Sequence, residues 1–175
     1  MRVVGTPGAL ALTYIAQGDP GRVRIPAARE PRIAERLWQH TCFEVFIRTH
    51  GNDAYHELNF SPSGEWAAFA FERYREGGPV MDAALDPRIA VRATDGTITL
   101  AASVPLGLLS PDYADAPLTL GLSAVIEDRD GALSYWALRH PPGKPNFHHA
   151  QAFALEFNAR HSGPACDAGS IRNPF

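Results

Sequence analysis

The sequence is poor in cysteine and has no long hydrophobic segment. Of its 175 residues only two are cysteines, Cys42 and Cys166, and the longest uninterrupted apolar run covers residues 66–71. A membrane-spanning helix needs about 18 consecutive apolar residues or more, so none is predicted. Cys42 lies in an apolar run and Cys166 in a segment rich in glycine and proline, and neither has a second cysteine two residues away. We therefore expect reduced cysteines and no zinc-binding cysteine pair.

The chain also lacks an excess of positive charge. It contains 16 Lys and Arg residues against 19 Asp and Glu residues, which gives a formal net charge of −3. No basic field is present that would hold nucleic acid or an anionic membrane, so neither partner is expected. Near the start, Gly5 and Pro7 interrupt the apolar stretch that an export signal would need. Together with reduced cysteines, this predicts a cytoplasmic protein.

Common nucleotide-binding and hydrolase motifs are absent as well. The Gly143-Lys144 pair is followed by Pro145, where a phosphate-binding loop needs Ser or Thr. Neither the dinucleotide fingerprint Gly-x-Gly-x-x-Gly nor the nucleophile elbow Gly-x-Ser-x-Gly occurs. The sequence therefore predicts no function that depends on these loops.

What the sequence does contain is a series of short segments in which apolar and polar residues alternate. This period of two is typical of β-strands with one buried face. Turn-forming stretches separate the segments, and Asp95-Gly96 joins two of them at the spacing of a hairpin. The ten predicted strands are residues 9–16, 22–26, 40–48, 54–61, 65–74, 88–94, 97–104, 118–127, 133–139 and 152–157.

Helical periodicity is weak, and it predicts only short helices at residues 31–38, at 106–114 and after Pro145. Many short strands without long helices predict an all-β fold: a two-sheet antiparallel β-sandwich of about ten strands, immunoglobulin- or jelly-roll-like, with one or two short helices. A chain of this length forms one domain, which we assign to residues 1–157. Residues 158–175 lack periodicity and are interpreted as a loosely attached C-terminal tail.

Two predicted strands, at residues 40–48 and 55–61, carry polar side chains on the face opposite the core. Carboxylates and amides bind the vicinal hydroxyl groups of a sugar, and aromatic rings stack on its C–H groups. The pattern therefore favours a ligand-binding face, with an ordinary solvated sheet face as the alternative. The candidates are Glu44, Tyr55, Glu57 and Asn59, with Trp66 and Trp136 as aromatic residues around them.

A second dense segment, residues 135–149, concentrates three of the seven histidines and the only lysine of the chain. Its three prolines stiffen the loop, which lowers the entropy cost of presenting side chains to a ligand. The alternative is a plain exposed loop whose histidines pack locally. The candidate binding residues here are His140, Lys144 and His148.

Three stretches carry a resemblance to a known family: residues 37–47 (LWQHTCFEVFI), 55–66 (YHELNFSPSGEW) and 135–141 (YWALRHP). On these, the chain resembles the DOMON-like superfamily, in the branch with family-9 carbohydrate-binding modules and short stand-alone bacterial proteins of unassigned role. The resemblance runs from about residue 10 to residue 157. It implies a two-sheet sandwich and a sugar or haem ligand, held on one sheet and the loops at its edge. The residues it places near the ligand are Glu44, Tyr55, Glu57, Asn59, Trp66 and Trp136.

The function we predict is a non-catalytic domain that binds a saccharide or a related small polyhydroxylated metabolite on one sheet face and the 139–149 loop, without a cofactor. One alternative is a b-type haem domain with His40 and either His140 or His148 as axial ligands; calcium is the other candidate cofactor. A second alternative is an enzyme acting on a sugar or sugar-nucleotide, with Glu44 or Glu57 as acid and base. A domain that meets a protein partner is a further alternative, and no oligomeric state is predicted.

Overall fold

β-strands are the main secondary structure of the chain. The computed structural model describes residues 2–6, 8–94, 96–158 and 166–167. In this part of the chain twelve strands form: β1 (Arg2–Thr6), β2 (Ala9–Gln17), β3 (Cys42–Thr49), β4 (Tyr55–Phe60), β5 (Trp66–Arg73), β6 (Glu76–Pro79), β7 (Arg88–Thr94), β8 (Thr97–Pro105), β9 (Pro117–Glu127), β10 (Leu133–Ala137), β11 (Phe153–Asn158) and β12 (Cys166–Asp167).

Helices are short and occur only in connections. The α-helix α1 spans Leu106–Leu109, and 3-10 helices form at Pro20–Arg22, Leu37–Gln39, Ala83–Leu85, Pro111–Ala114 and Ala150–Ala152. None of the helices in the described residues has the length and apolar character that crossing a membrane requires.

The strands assemble into two antiparallel sheets. The first has the order β12-β1-β2-β8-β7, and the second has the order β10-β9-β3-β4-β5-β6. The long strand β9 pairs with β3 on one side, and on its other side with β10 along one half and β11 along the other. The predicted all-β, two-sheet antiparallel sandwich with short helices is therefore confirmed.

The core lies between the two sheets. Leu12 and Leu100 from the five-stranded sheet pack in one buried cluster with Phe43, Leu58 and Leu120 from the other. These are the alternate apolar positions of their strands, so each strand turns its intervening side chains away from the core. The outward face of the seven-stranded sheet is consequently free to carry a site.

The local predictions have mixed outcomes. Thr94 pairs with Thr97, which confirms a hairpin with a two-residue connection, although Asp95 itself lies outside the described residues. The strand predicted at 22–26 is wrong: only Val23 forms an isolated bridge, because a 3-10 helix precedes it and Pro26 can donate no ladder hydrogen bond. The helix predicted at 31–38 is wrong too, since the segment runs without regular structure until the 3-10 turn at Leu37–Gln39.

Three short strands, β1, β6 and β12, were not predicted from the sequence. The helical turns predicted at 106–114 and after Pro145 are present as α1 and 3-10 turns. Of the predicted tail, Asn158 ends β11 and β12 pairs with β1, while residues 159–165 and 168–175 lie outside the described residues. The domain limit at residue 157 and the tail stay predictions.

Candidate functional site

A pocket of about 520 Å³ lies on the outward face of the seven-stranded sheet. Strands β3, β4, β5, β6, β9 and β10 supply its floor and sides, and the turns after β5 and around residue 146 supply its rim. The lining residues are Trp38, Glu44, Phe46, Glu57, Phe69, Phe71, Arg75, Gly77, Gly78, Pro79, Val125, Tyr135, Pro145, Phe147 and His148. The volume falls in the range of small-molecule sites.

Strand register brings the polar residues of the pocket together. Glu44 on β3 pairs with Asn59 on β4 and with Ser123 on β9, and Glu57 pairs with Phe46. The two glutamates are therefore diagonal neighbours on one face. The alternation of residues 40–48 and 55–61 predicted this shared face correctly.

Glu44 sits at the floor of the pocket and is 2% exposed. Its Oε2 accepts a hydrogen bond of 2.9 Å from the Ser123 hydroxyl. Burial raises the pKa of the Glu44 carboxyl toward neutral pH, and the negative charge of Glu57 raises it further, against the hydrogen bond from Ser123. Gly121, two residues before Ser123, permits a close approach of neighbouring backbone, because an added Cβ would lie 3.2 Å from the carbonyl oxygen of Ala152 and 3.4 Å from Phe46 Cβ.

Glu57 is also buried, and it has two polar neighbours. Its Oε1 accepts a hydrogen bond of 2.8 Å from Asn59 Nδ2, and its Oε2 lies 3.5 Å from Nε2 of His148. Burial raises the pKa of the Glu57 carboxyl, whereas the Asn59 hydrogen bond and the positive charge of Arg75 act to lower it. Both pocket carboxyls thus hold protons more tightly than exposed glutamates do.

His148 joins the site through Tyr55. The Tyr55 hydroxyl accepts a hydrogen bond of 3.1 Å from the Arg75 backbone N–H and lies 2.8 Å from Nδ1 of His148. The hydroxyl keeps its own proton to donate, and donation to His148 Nδ1 corresponds to the tautomer whose ring proton is on Nε2, facing Glu57. Burial lowers the pKa of His148 to about 4, and Arg75 adds to the effect, so the ring is neutral near pH 7.

Arg75 lies at the rim in the tight turn between β5 and β6. Its φ of 58° puts a non-glycine residue in the left-handed region. Its guanidinium lies over the Tyr74 ring and donates a hydrogen bond of 3.3 Å to Asn146 Oδ1, which ties the turn to the 140–149 loop. Gly77 permits the close return of β6, because a Cβ there would lie 2.0 Å from the carbonyl oxygen of Ala70.

Aromatic rings form much of the remaining wall. Phe71 stacks on Tyr55 with ring centroids 4.7 Å apart and an interplanar angle of 15°. Trp38, 39% exposed, meets Phe69 edge to face at 5.7 Å. Tyr135 and Phe147 close the opposite side, with ring centroids 6.3 Å apart.

Two predicted aromatic residues lie elsewhere and require correction. Trp66 is 2% exposed in the core between the sheets, because it pairs with the core residue Phe60. Trp136 packs against the same core, and its indole N–H donates to Ser134 Oγ. Neither tryptophan is among the described residues that line the pocket, so neither presents a stacking surface to it.

Two predicted loop residues also fall outside the lining. Lys144 is exposed, next to Pro145 at the rim. The ring centroid of His140 lies 6.0 Å from that of Phe147, and His140 is not among the described lining residues. Tyr55 and Asn59 contact lining residues without lining the pocket themselves: Tyr55 contacts His148, Arg75 and Phe71, and Asn59 donates to Glu57. Of the predicted residues, Glu44, Glu57 and His148 line the pocket directly.

The sequence patterns missed Trp38, Phe69, Phe71, Arg75 and Phe147. A signal was present for two of them, because Phe69 and Phe71 alternate with core residues in the run 65–74. Once β5 pairs with β4, these rings lie opposite Glu57 and Tyr55. Arg75 and Phe147 lie in turns, where period-two alternation carries no information.

No arrangement for a metal ion is seen in the described part of the chain. No group of three or more His, Cys, Asp or Glu side chains could hold a metal ion among the residues described. His40, a predicted haem ligand, lies 2.8 Å from Glu127 and outside the pocket lining. The haem and calcium alternatives stay predictions.

Comparison with known proteins gives one structural likeness. No family model matches the chain, and no curated protein matches it. A crystal structure from Bacteroides uniformis ATCC 8492, described as that of "a putative carbohydrate-binding protein", superposes with a TM-score of 0.65 at 15% identity, covering 85% of this chain and 72% of that chain. At this identity the likeness shows a shared fold.

Proposed function

We propose that the chain is a non-catalytic binding domain for a saccharide or a related small polyhydroxylated metabolite, held in the pocket on the outward sheet face. The observation that carries this proposal is the pairing of buried hydrogen-bonding groups with aromatic walls in one cavity of about 520 Å³. The similar fold of a protein described as carbohydrate-binding supports the same proposal. So does the resemblance to the DOMON-like superfamily, which we propose as the family.

The polar floor suits hydroxyl groups. Glu44 and Glu57 offer carboxyl oxygens, and each is held in place by one hydrogen bond, from Ser123 or from Asn59. Groups fixed in this way bind vicinal hydroxyls without a large loss of side-chain entropy. A planar carboxyl group pairs with two adjacent hydroxyls at once, a geometry that distinguishes sugars from simple alcohols.

The walls suit the C–H faces of a sugar ring. Phe69 and Phe71 present adjacent rings on β5, and Trp38 and Tyr135 lie on two sides of them. Aromatic faces are electron-rich, and they attract the polarised C–H groups of a pyranose. Because carboxyl groups lie beside these rings, the site differs from a pocket for a purely apolar ligand.

Tryptophan fluorescence during titration with a monosaccharide panel tests this proposal. Of the three tryptophans only Trp38 lines the pocket, so we expect a saturable change for at least one sugar. Trp38→Phe should abolish the change, and Trp136→Phe, the matched control on the core side, should retain it. A flat response across neutral, amino and acidic sugars, or a change that survives Trp38→Phe, contradicts the proposal.

One observation also favours a second candidate, an enzyme that acts on a sugar. Burial raises the pKa of both Glu44 and Glu57, and a carboxyl that keeps its proton near pH 7 can act as a general acid. Release of nitrophenol from a panel of nitrophenyl glycosides, lost in Glu44→Gln and Glu57→Gln, would establish this second candidate. Binding of sugars without turnover of any such substrate favours the first.

A further inference from the structure

The buried glutamates of the protein fall into two groups. Four are buried among the described residues: Glu44, Glu57, Glu65 and Glu127. Glu65 lies 2.7 Å from the guanidinium of Arg32. Glu127 lies 2.7 Å from that of Arg24. A carboxylate taken from water needs such compensation, so these two pairs are ordinary structural ion pairs.

The two glutamates of the pocket lack this compensation. Among the residues that the structure describes, neither Glu44 nor Glu57 forms an ion pair with lysine or arginine. Their hydrogen-bond donors are the neutral groups of Ser123 and Asn59. Glu44 and Glu57 also line a cavity large enough for a ligand, whereas Glu65 and Glu127 do not.

The lining holds two buried carboxyl groups but only one guanidinium among its described residues. Arg75 is the one cationic side chain among the described lining residues, besides His148, whose ring is neutral near pH 7. The Arg75 charge acts on Glu57, and its guanidinium is exposed at the rim against Tyr74 and Asn146. Glu44, at the floor, is therefore the carboxyl group without a neighbouring cation, and it can form an ion pair only with a charged group that a ligand brings.

The walls around this floor also favour a cation. Ammonium groups are attracted to the faces of aromatic rings, most strongly where water is excluded. The rings that line the cavity are Trp38, Phe46, Phe69, Phe71, Tyr135 and Phe147. Rings around a buried carboxyl form the combination by which proteins recognise amines.

We propose that the pocket takes a positively charged ligand, an amino sugar or another polyhydroxylated amine, whose ammonium group binds at Glu44. This inference rests on the proposed saccharide function and specifies its ligand class. The ammonium replaces the cation that Glu44 lacks, and the hydroxyls of the same molecule reach Glu57 and the rim.

Binding of an amine changes the protonation of Glu44. The groups that act on it are Glu57 from β4, Cys42 from its own strand, Tyr14 from β2, whose hydroxyl donates to the Glu44 backbone carbonyl, and Ser123 from β9. The more distant Arg75 and His148 lie on the Glu57 side. None of these supplies a positive charge directly to Glu44, so its carboxyl is protonated in much of the free protein near pH 7. An ammonium group lowers the pKa, and the carboxyl proton leaves to solvent as the ion pair forms.

The experiment is calorimetric titration of the full chain with matched sugars: glucosamine, glucose and N-acetylglucosamine, and the corresponding galactose set. Choline serves as a cation without hydroxyls on a ring. We expect an amino sugar to bind about tenfold tighter than its parent hexose and its N-acetyl form, because a charge-assisted hydrogen bond replaces a neutral one. In buffers of different ionisation enthalpy, the amino sugar should release a proton and the hexose should not.

Variants separate charge from shape. Glu44→Gln should reduce the ratio of amino-sugar to hexose affinity to near one and remove the proton release. Glu72→Gln, which changes an exposed glutamate of β5 outside the lining, should keep both. Thermal melting checks that each variant is folded.

The outcomes distinguish this inference from the function on which it rests. Hexoses that bind as tightly as their amino forms overturn the inference and leave saccharide binding standing. Choline binding without any sugar binding supports the cationic ligand and contradicts the saccharide. No binding of any probe at millimolar concentration contradicts both.

Discussion

At the scale of single residues, the site depends on how each buried polar group is balanced. Glu65 illustrates the balanced case: burial acts to raise its pKa, but hydrogen bonds from Arg32 and Ser63 and the charge of Arg29 lower it overall. Glu44 has one neutral donor and a neighbouring carboxylate, and its pKa moves the other way. A raised carboxyl pKa means that the folded state binds its proton more tightly than the unfolded state does.

This difference predicts how stability changes with pH. Below the unfolded pKa near 4.5, Glu44 is protonated in both states and contributes no pH dependence. Between that value and the folded pKa of about 8, the unfolded state loses the proton first, so stability falls as the pH rises. Each pKa unit of difference corresponds to about 1.4 kcal/mol.

Glu44→Gln removes this loss, because the amide cannot ionise. We expect the variant to be close to wild type in stability near pH 5 and more stable than wild type, by about 1 kcal/mol or more, near pH 8. Urea unfolding at both pH values measures the difference, with Glu72→Gln as control. A variant that is equally destabilised at pH 5 and pH 8 contradicts the assigned protonation.

The alternation of apolar and polar residues predicted the positions of some site residues but not of others. It placed Glu44, Glu57 and Asn59 on one face because these positions follow strict parity within their own strands. Trp66 was named as an aromatic residue near the ligand without an argument from alternation, and its position became clear only through its pairing with the core residue Phe60. Register between strands is a tertiary property, and the pattern of one strand does not contain it.

At the scale of elements, the β5–β6 hairpin shapes the rim of the pocket. The ladder shifts between Phe71 and Arg73, and the bulge brings β6 back close to β5. Gly77 and Gly78 follow the turn and line the pocket, and the turn residue Arg75 donates its backbone N–H to Tyr55. Through this hydrogen bond the turn holds the Tyr55 hydroxyl, which in turn contacts Nδ1 of His148.

Two adjacent glycines in this hairpin allow a matched test. A Cβ at Gly77 would lie 2.0 Å from the backbone oxygen of Ala70, whereas a Cβ at Gly78 meets nothing within 4 Å. We expect Gly77→Ala to destabilise the protein by about 2 kcal/mol, because the backbone of β6 must move. Gly78→Ala should change stability little, and chemical denaturation compares the two.

An equal loss of stability in both alanine variants would contradict this description of the hairpin.

The sequence alone did not predict β6, since Glu76–Pro79 is a four-residue strand with two glycines and a proline. Its partner β5, with strong alternation and bulky side chains, was predicted within one residue at each end. The sequence therefore predicts strands that carry alternating bulky side chains, such as β5, and misses short glycine-rich strands, such as β6.

In the whole molecule, both sheets contribute to the core, and the seven-stranded sheet also carries the pocket. The five-stranded sheet buries one face against the core and covers the back of the seven-stranded sheet. That leaves the second face of the seven-stranded sheet to carry a separate aromatic cluster of Phe46, Tyr55 and Phe153, on which His148 also packs. The sandwich class was predictable from alternation, but the choice of face for the loop around residue 147 was not.

Ligand binding on this face is tested most simply by the backbone amide NMR spectrum of the ¹⁵N-labelled full chain during titration with a hexose and its amino form. Binding in the pocket predicts saturable shifts at Glu44, Glu57, Phe71 and His148, with β2 and β8 unchanged. Shifts confined to the five-stranded sheet, or no shifts at millimolar sugar, would contradict the claim that this face binds a polyhydroxylated ligand.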